Sequence, residues 1–333
     1  MTVVTRHEGA TDQMTWQMQL QISVERPATD ADTAGLLRSW FSGAFEAMGG
    51  LLRERLLLAE PLSDAVMRRR PRNEPYGQPG DVWAYVMTGV RGPRGLKHKA
   101  KAFSLKSWAA FLAGLDEVPF TAELKLVTLD REGYPHALPA LRVTSAFNSE
   151  FAKELREQDG RWLFLTVQFG PELLDDPDYQ KATLAFARGI VDACNPNYGE
   201  ISYDRGSGRS AFESVFGGIP TRTVLASRRE LRGYAWLTIC PEEIGERLGG
   251  VDALRASGAF AEVAKLVHGG YWLLATGDYR DFGQPAAERI FPVLAPALRD
   301  GDPHSIVPGD PPYHVARRNA AELKDGAARR AGL

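Results

Sequence analysis

The sequence predicts an α+β fold, an antiparallel or mixed sheet with helices packed mainly on one face. Three observations carry that expectation. Period-two runs of apolar residues read as strands. They recur in strand–helix–strand and strand–helix–hairpin–helix units rather than in a regular short repeat. The 333-residue chain, 44% hydrophobic and 25% charged, is long enough and average enough in composition to bury a full core.

From the N-terminus, residues 1–13 read as a flexible leader. Trp16, Met18, Leu20, Ile22 and Val24 then alternate with Gln17, Gln19, Gln21, Ser23 and Glu25, the pattern of a strand apolar on one face and wet on the other. Pro27 ends it, and Asp30 or Asp32 can cap a helix whose stripe is Leu36, Leu37, Trp40, Phe41 and Phe45. Gly49-Gly50 breaks that helix before LLRERLLLA, a further short one. The Arg-, Pro- and Gly-rich stretch 68–81 reads as a surface connection. VWAYVMTGV (82–90) is a strand, RGPRGLKHKAK (91–101) a basic loop and LKSWAAFLAGL (105–115) a helix. AELKLVTL (122–129) and ALRVT (140–144) form a hairpin, with Pro139 placing the second strand at an edge.

WLFLTVQF (162–169) is apolar at both parities, as a strand buried on both faces should be. Asp176 caps the next helix with Pro177 in its first turn, and Tyr179, Ala182, Phe186, Ile190 and Ala193 define its buried face. YGEISYD (198–204) and YAWLTI (234–239) are strands, Pro241 opens a short helix closed by Gly249-Gly250, and AFAEVAKLV with YWLLAT makes a hairpin around His268-Gly269-Gly270. PAAERIFPVLAPAL is the last helix, distorted by its prolines. Residues 14–300 thus read as one α+β domain, whose two lobes, if it divides, are 14–145 and 160–300. Residues 301–333 read as a loosely ordered tail.

Charge and cysteines narrow the setting. Forty basic and 42 acidic residues leave a net charge of −2, too balanced to point to nucleic acid or a membrane surface. Residues 111–300 hold 20 basic and 27 acidic side chains, which permits an acidic face there. Two cysteines, Cys194 and Cys240, suit a reducing cytoplasm. No apolar run is long enough to span a membrane.

The tests for chemistry return no catalytic, cofactor-binding or metal-binding residue. RGSGRS (205–210) lacks the lysine and spacing of a phosphate loop. His7, His98, His136, His268, His304 and His314 form no ligand set, and HExxH is missing. Cys194 ends a helix, where the dipole disfavours a thiolate, and Cys240 ends an apolar strand, so both read as buried structural residues. The basic clusters at 68–72 and 91–101 read as solvated loops. Asp175, Asp176 and Asp178 resemble a cation site, but capping accounts for Asp176 and Asp178.

The second half resembles a known family. YAWLTICPEEIGERLGG, AFAEV and HGGYWLLATGDY, with Trp236-Leu237-Thr238, Leu248-Gly249-Gly250, Gly269-Gly270 and Gly277-Asp278 at the matching positions, look like a bacterial family of unknown function. That family is linked to type VI secretion immunity against VRR-type nuclease toxins. WLFLTVQFGPELL upstream is similar in character, so the resemblance spans about 160–300. It implies a cytoplasmic immunity protein that neutralises a cognate toxin by stoichiometric binding, with no cofactor. An acidic surface would serve such a partner, and Asp175 and Asp178 are the candidate contacts. The residues themselves leave open an enzyme whose site assembles from distant loops around RGSGRS and His136, or a regulatory scaffold.

Overall fold

The structure is a computed structural model that describes residues 16–59, 64, 75–93, 95–148, 160–206, 208–304 and 309–324. The leader at 1–13 and the basic stretch at 68–74 lie outside the described residues. The strands are β1 (Met18–Glu25), β2 (Val82–Gly92), β3 (Gly95–Ala102), β4 (Thr121–Thr128), β5 (Leu141–Phe147), β6 (Trp162–Phe169), β7 (Pro196–Tyr203), β8 (Leu237–Cys240), β9 (Glu262–Lys265) and β10 (Tyr271–Leu274). They form one ten-stranded sheet in the order β3-β2-β4-β5-β6-β1-β7-β8-β10-β9. Every pairing between these strands is antiparallel, which makes the fold α+β.

The N-terminal strand joins the two halves of the chain. β1 lies between β6 and β7, pairing Leu20 with Val167 on one side and with Ile201 on the other. It is therefore central, and its expected wet face is instead buried: Gln19, Gln21 and Ser23 are all under 5% exposed.

The helices are α1 (Asp30–Ala47), α2 (Gly50–Leu58), α3 (Leu105–Gly114), α4 (Pro177–Val191), α5 (Ala211–Val215), α6 (Pro220–Ala226), α7 (Glu242–Arg247), α8 (Gly250–Ala256) and α9 (Gln284–Leu294). α1 is capped by Thr29 rather than by Asp30 or Asp32, because the Thr29 hydroxyl accepts from the Asp32 amide. α1 and α4 cover the face carrying Met18, Leu20, Ile22 and Val24. Trp40 of α1 meets Phe186 of α4 with ring centroids 5.2 Å apart, and Tyr179 of α4 meets Phe169 of β6 at 5.7 Å. The stripe of α4 is turned slightly from its expected phase. Phe186 and Ile190 are buried with Gln180, Thr183, Ala187 and Val191, while Ala182 is half-buried and Ala193 exposed. α7 stands on the opposite face, with Gly245 against the Tyr271 ring, where a Cβ would come within 2.0 Å of a ring carbon.

Three further elements differ from expectation. The basic stretch after Gly92 is an edge strand, β3, whose Lys97, Lys99 and Lys101 alternate with His98, Ala100 and Ala102. Lysines on an exposed edge deter further strand pairing, so a charged strand reads locally as a loop. β5 is interior, between β4 and β6, because Pro139 precedes its first residue and removes no ladder bond. Residues 309–324 run back onto the body rather than hanging free. Val315, Ala316 and Ala320 are buried, and the Ala316 amide donates to Tyr234 Oη at 2.7 Å.

Candidate functional site: a polar cleft on the open sheet face

Because side chains alternate across a sheet, the residues between the apolar ones share the face away from α1 and α4. Along one row Met87, Glu123, Thr144, Thr166, Gln21 and Glu200 stand opposite one another from β2 to β7. Along the next, Lys125, Arg142, Gln168, Gln19 and Ser202 do the same. The strands present ten polar or charged side chains and one methionine here.

The β7 end of this face is roofed. The segment after β7 folds over it, held by Glu213 and Arg232, whose side chains are 2% and 1% exposed. Arg232 Nε donates to Glu213 Oε1 at 2.8 Å and Nη2 to Oε2 at 3.0 Å, while its guanidinium lies 5.0 Å over the Tyr198 ring. Burial alone would lower the Arg232 pKa, but the Glu213 carboxylate beside it holds it above the ordinary value. Ser210 and Glu213 form a capping box for α5, so one carboxylate serves the helix start, the ion pair and the Thr223 hydroxyl.

Under that roof, Glu200 is fully buried and accepts from Tyr198 Oη at 2.6 Å, Gln21 Nε2 at 2.6 Å and Ser202 Oγ at 2.8 Å. Burial raises its pKa above the ordinary glutamate value of 4.5, against those three donors. The folded state therefore holds this proton more tightly than the unfolded chain. Its contribution to stability is full below the ordinary glutamate range and is lost as pH rises towards the raised folded pKa. Glu200→Gln should remove that slope. Wild type should lose melting temperature relative to the variant as pH rises from about 4 to about 7. A constant difference across that range would show that Glu200 does not titrate as described.

The β2–β6 part of the face is open and forms a cleft of about 690 Å³. Its floor is sheet, and Gly208, Arg209, Ile219, Pro220 and Thr221 make one wall. A hydrogen-bonded chain crosses the floor. Tyr85 Oη donates to Glu123 Oε1 at 3.0 Å, and Arg142 Nε donates to the same oxygen at 2.9 Å. Arg142 Nη1 donates to Gln168 Oε1 at 3.4 Å, and Gln168 Nε2 to Asp204 Oδ2 at 2.5 Å. Burial, then the charge of Glu123, raises the Tyr85 pKa, so Tyr85 stays a donor. The Glu123 side chain is 7% exposed and the Arg142 side chain 40%, so the guanidinium emerges from the floor while its anchor does not.

Apart from His98, which lines the cleft, the residues singled out in the sequence fall elsewhere, with one exception. Asp175 ends a 3-10 turn and Asp178 lies in the first turn of α4, both exposed. Asp176 is the α4 cap, accepting from the Asp178 amide at 2.9 Å. His136 and His268 are exposed, the latter in the β9–β10 turn. Cys194 and Cys240 have thiols pushed up by burial to about 12, the reverse of an activated nucleophile. The exception is the 205–210 loop. Arg205 is tied to the Pro311 and Pro312 carbonyls, Ser210 caps α5, and Arg209 reaches the cleft wall. Among the described residues no group of three or more His, Cys, Asp or Glu could hold a metal ion, and no helix is long and apolar enough to cross a membrane.

No protein-family model matches the chain, and no curated protein does. Among solved structures it is similar to a Pseudomonas aeruginosa T6SS protein, PA0821. The identity is 12%, over 95% of this chain and 85% of that one, with a TM-score of 0.48.

Sequence reasoning missed the cleft. Glutamines at alternate positions of β1, threonine and glutamine in β6, and arginine and threonine in β5 were the available signal. Each reads as an ordinary solvated face until the strand order brings them together.

Proposed function

We propose that this chain is an inhibitor, an immunity protein that neutralises a cognate bacterial toxin by stoichiometric binding. The observation that carries the reading is the cleft: a concave polar surface whose floor is held by the hydrogen-bonded chain from Tyr85 through Glu123, Arg142 and Gln168 to Asp204. A partner meeting such a surface has fewer rotamers to freeze, which favours tight association. The family resemblance over 160–300 supplies the setting, type VI secretion, and the toxin class, a nuclease acting in the cytoplasm. Asp175 and Asp178, exposed at the start of α4, are proposed as charges that steer a basic partner.

The test is protection of cells expressing a candidate toxin that the purified chain binds. The triple change His136→Ala, Cys194→Ala and Cys240→Ala should still protect, since none of these groups takes part in binding. Asp175→Asn with Asp178→Asn should slow association by about tenfold at low salt, with Asp176 left as the cap. If the triple variant melts like wild type yet fails to protect, the chain acts through those side chains and the reading is wrong.

A further inference from the structure

The cleft is unbalanced in its hydrogen-bonding groups, and the imbalance describes what it takes. Gln19, 1% exposed on the floor, has its amide nitrogen Nε2 without a partner. Arg209 in the wall has an unpartnered, buried Nε, and the Thr121 hydroxyl on the floor is unpartnered as well. Arg142 is anchored at Nε, but both terminal nitrogens lie 3.4 Å from their partners, Gln168 and Glu123. The amide nitrogen and the two guanidiniums can only donate, and a hydroxyl can donate too. The cleft's carboxylates are already engaged, Glu123 by Arg142 and Tyr85, and Asp204 by Gln168 and the Gly206 amide. Buried donors left unpaired are costly, so an occupant that supplies acceptors gains what the free protein forgoes. Beside these donors stand Phe164 on the floor and Ile219, 44% exposed, at the wall.

From this geometry we infer that the cleft receives an extended acidic segment of a partner protein. A carboxylate of the segment is clamped between Arg142 and Arg209, and an apolar neighbour rests on Phe164 and Ile219. Gln19 Nε2 takes up a carbonyl of the same segment. The inference rests on the inhibitor reading and names the contact that reading leaves open. Charge complementarity selects the occupant, since a planar guanidinium pairs with a carboxylate through two parallel hydrogen bonds. The clamp is separate from Asp175 and Asp178, which act on approach rather than in the cleft.

The probes are two fluorescent heptapeptides, one with two glutamates set between leucines and one with glutamines in their place. Fluorescence anisotropy with the full chain should show the glutamate peptide binding about tenfold tighter or more. Arg209→Gln, which leaves the Glu123–Arg142 pair intact, should erase most of that preference, and Arg142→Gln should erase it too. Raising salt should weaken the glutamate peptide more than the glutamine one. Equal binding of the two peptides, or none of either at millimolar concentration, overturns the proposal. So does free glutamate competing as well as the peptide, which would make the cleft a small-molecule site. The inhibitor reading is scored apart, by titrating toxin with wild type and with Arg209→Gln. Full inhibition by both variants sinks the clamp alone. Peptide preference without any toxin inhibition sinks the inhibitor reading alone.

Discussion

Glu213→Ala is expected to destabilise the fold by about 3–5 kcal/mol, since it strands a buried guanidinium without its counter-charge. Arg232 is 3% exposed, and its other contacts, the Gly208 carbonyl at 2.8 Å and the Tyr198 ring, cannot neutralise it. The same change removes the acceptor of the Ser210 amide and so opens the α5 cap. The roof over β7 depends on all three contacts, so proteolysis in 205–235 should accelerate along with the loss of stability. Replacing both partners, Glu213→Leu with Arg232→Met, should recover much of the loss, because an apolar pair of similar bulk leaves no buried charge behind. Urea unfolding of the single and double variants measures both. A single-variant loss under about 1 kcal/mol would mean that water reaches Arg232.

Phe186→Ala is expected to cost about 3–5 kcal/mol, the usual range for deleting a buried phenyl ring. Its ring packs on Trp40, itself wholly buried, and fills the space above Gly43, where an added Cβ would lie 2.8 Å from it. α1 and α4 meet there, so the cavity would open between the two helices that cover β1. Urea unfolding gives the value directly, and a loss below about 1 kcal/mol would place Phe186 outside the helix interface.

Much of this architecture is legible in the residues, and what is hidden has a common cause. Local signals located the Asp176 cap with Pro177 behind it and the Gly269-Gly270 turn, because each depends on neighbours in sequence. But β6, expected to be buried on both faces, buries Leu163, Leu165, Val167 and Phe169 and turns Phe164, Thr166 and Gln168 half-buried to the cleft. Where partners decide, local reading failed. β1 looks half-exposed until β6 and β7 close on both its edges and buries its glutamines under chain that comes almost two hundred residues later. β3 looks like a basic loop because its lysines answer to an exposed edge rather than to a core. Pro139 looks like an edge marker, yet it sits two residues before the paired strand begins at Leu141. The segment 309–324 is poor in periodicity, and its burial comes from Val315, Ala316 and Ala320 dropping into places the rest of the fold has already made. The cleft is the extreme case. Its floor draws on β1, β2, β4, β5 and β6, and its key arginines, Arg142 and Arg209, are 67 residues apart in sequence.

Stoichiometry tests the central claim most directly. Purified chain is titrated into a fixed amount of a purified candidate toxin that it binds, and residual toxin activity is read at each step. The account predicts a linear fall that reaches completion near equimolar amounts, with a complex recovered on size exclusion. Trace amounts inactivating an excess of toxin would contradict it, and would make the chain an enzyme acting on its target.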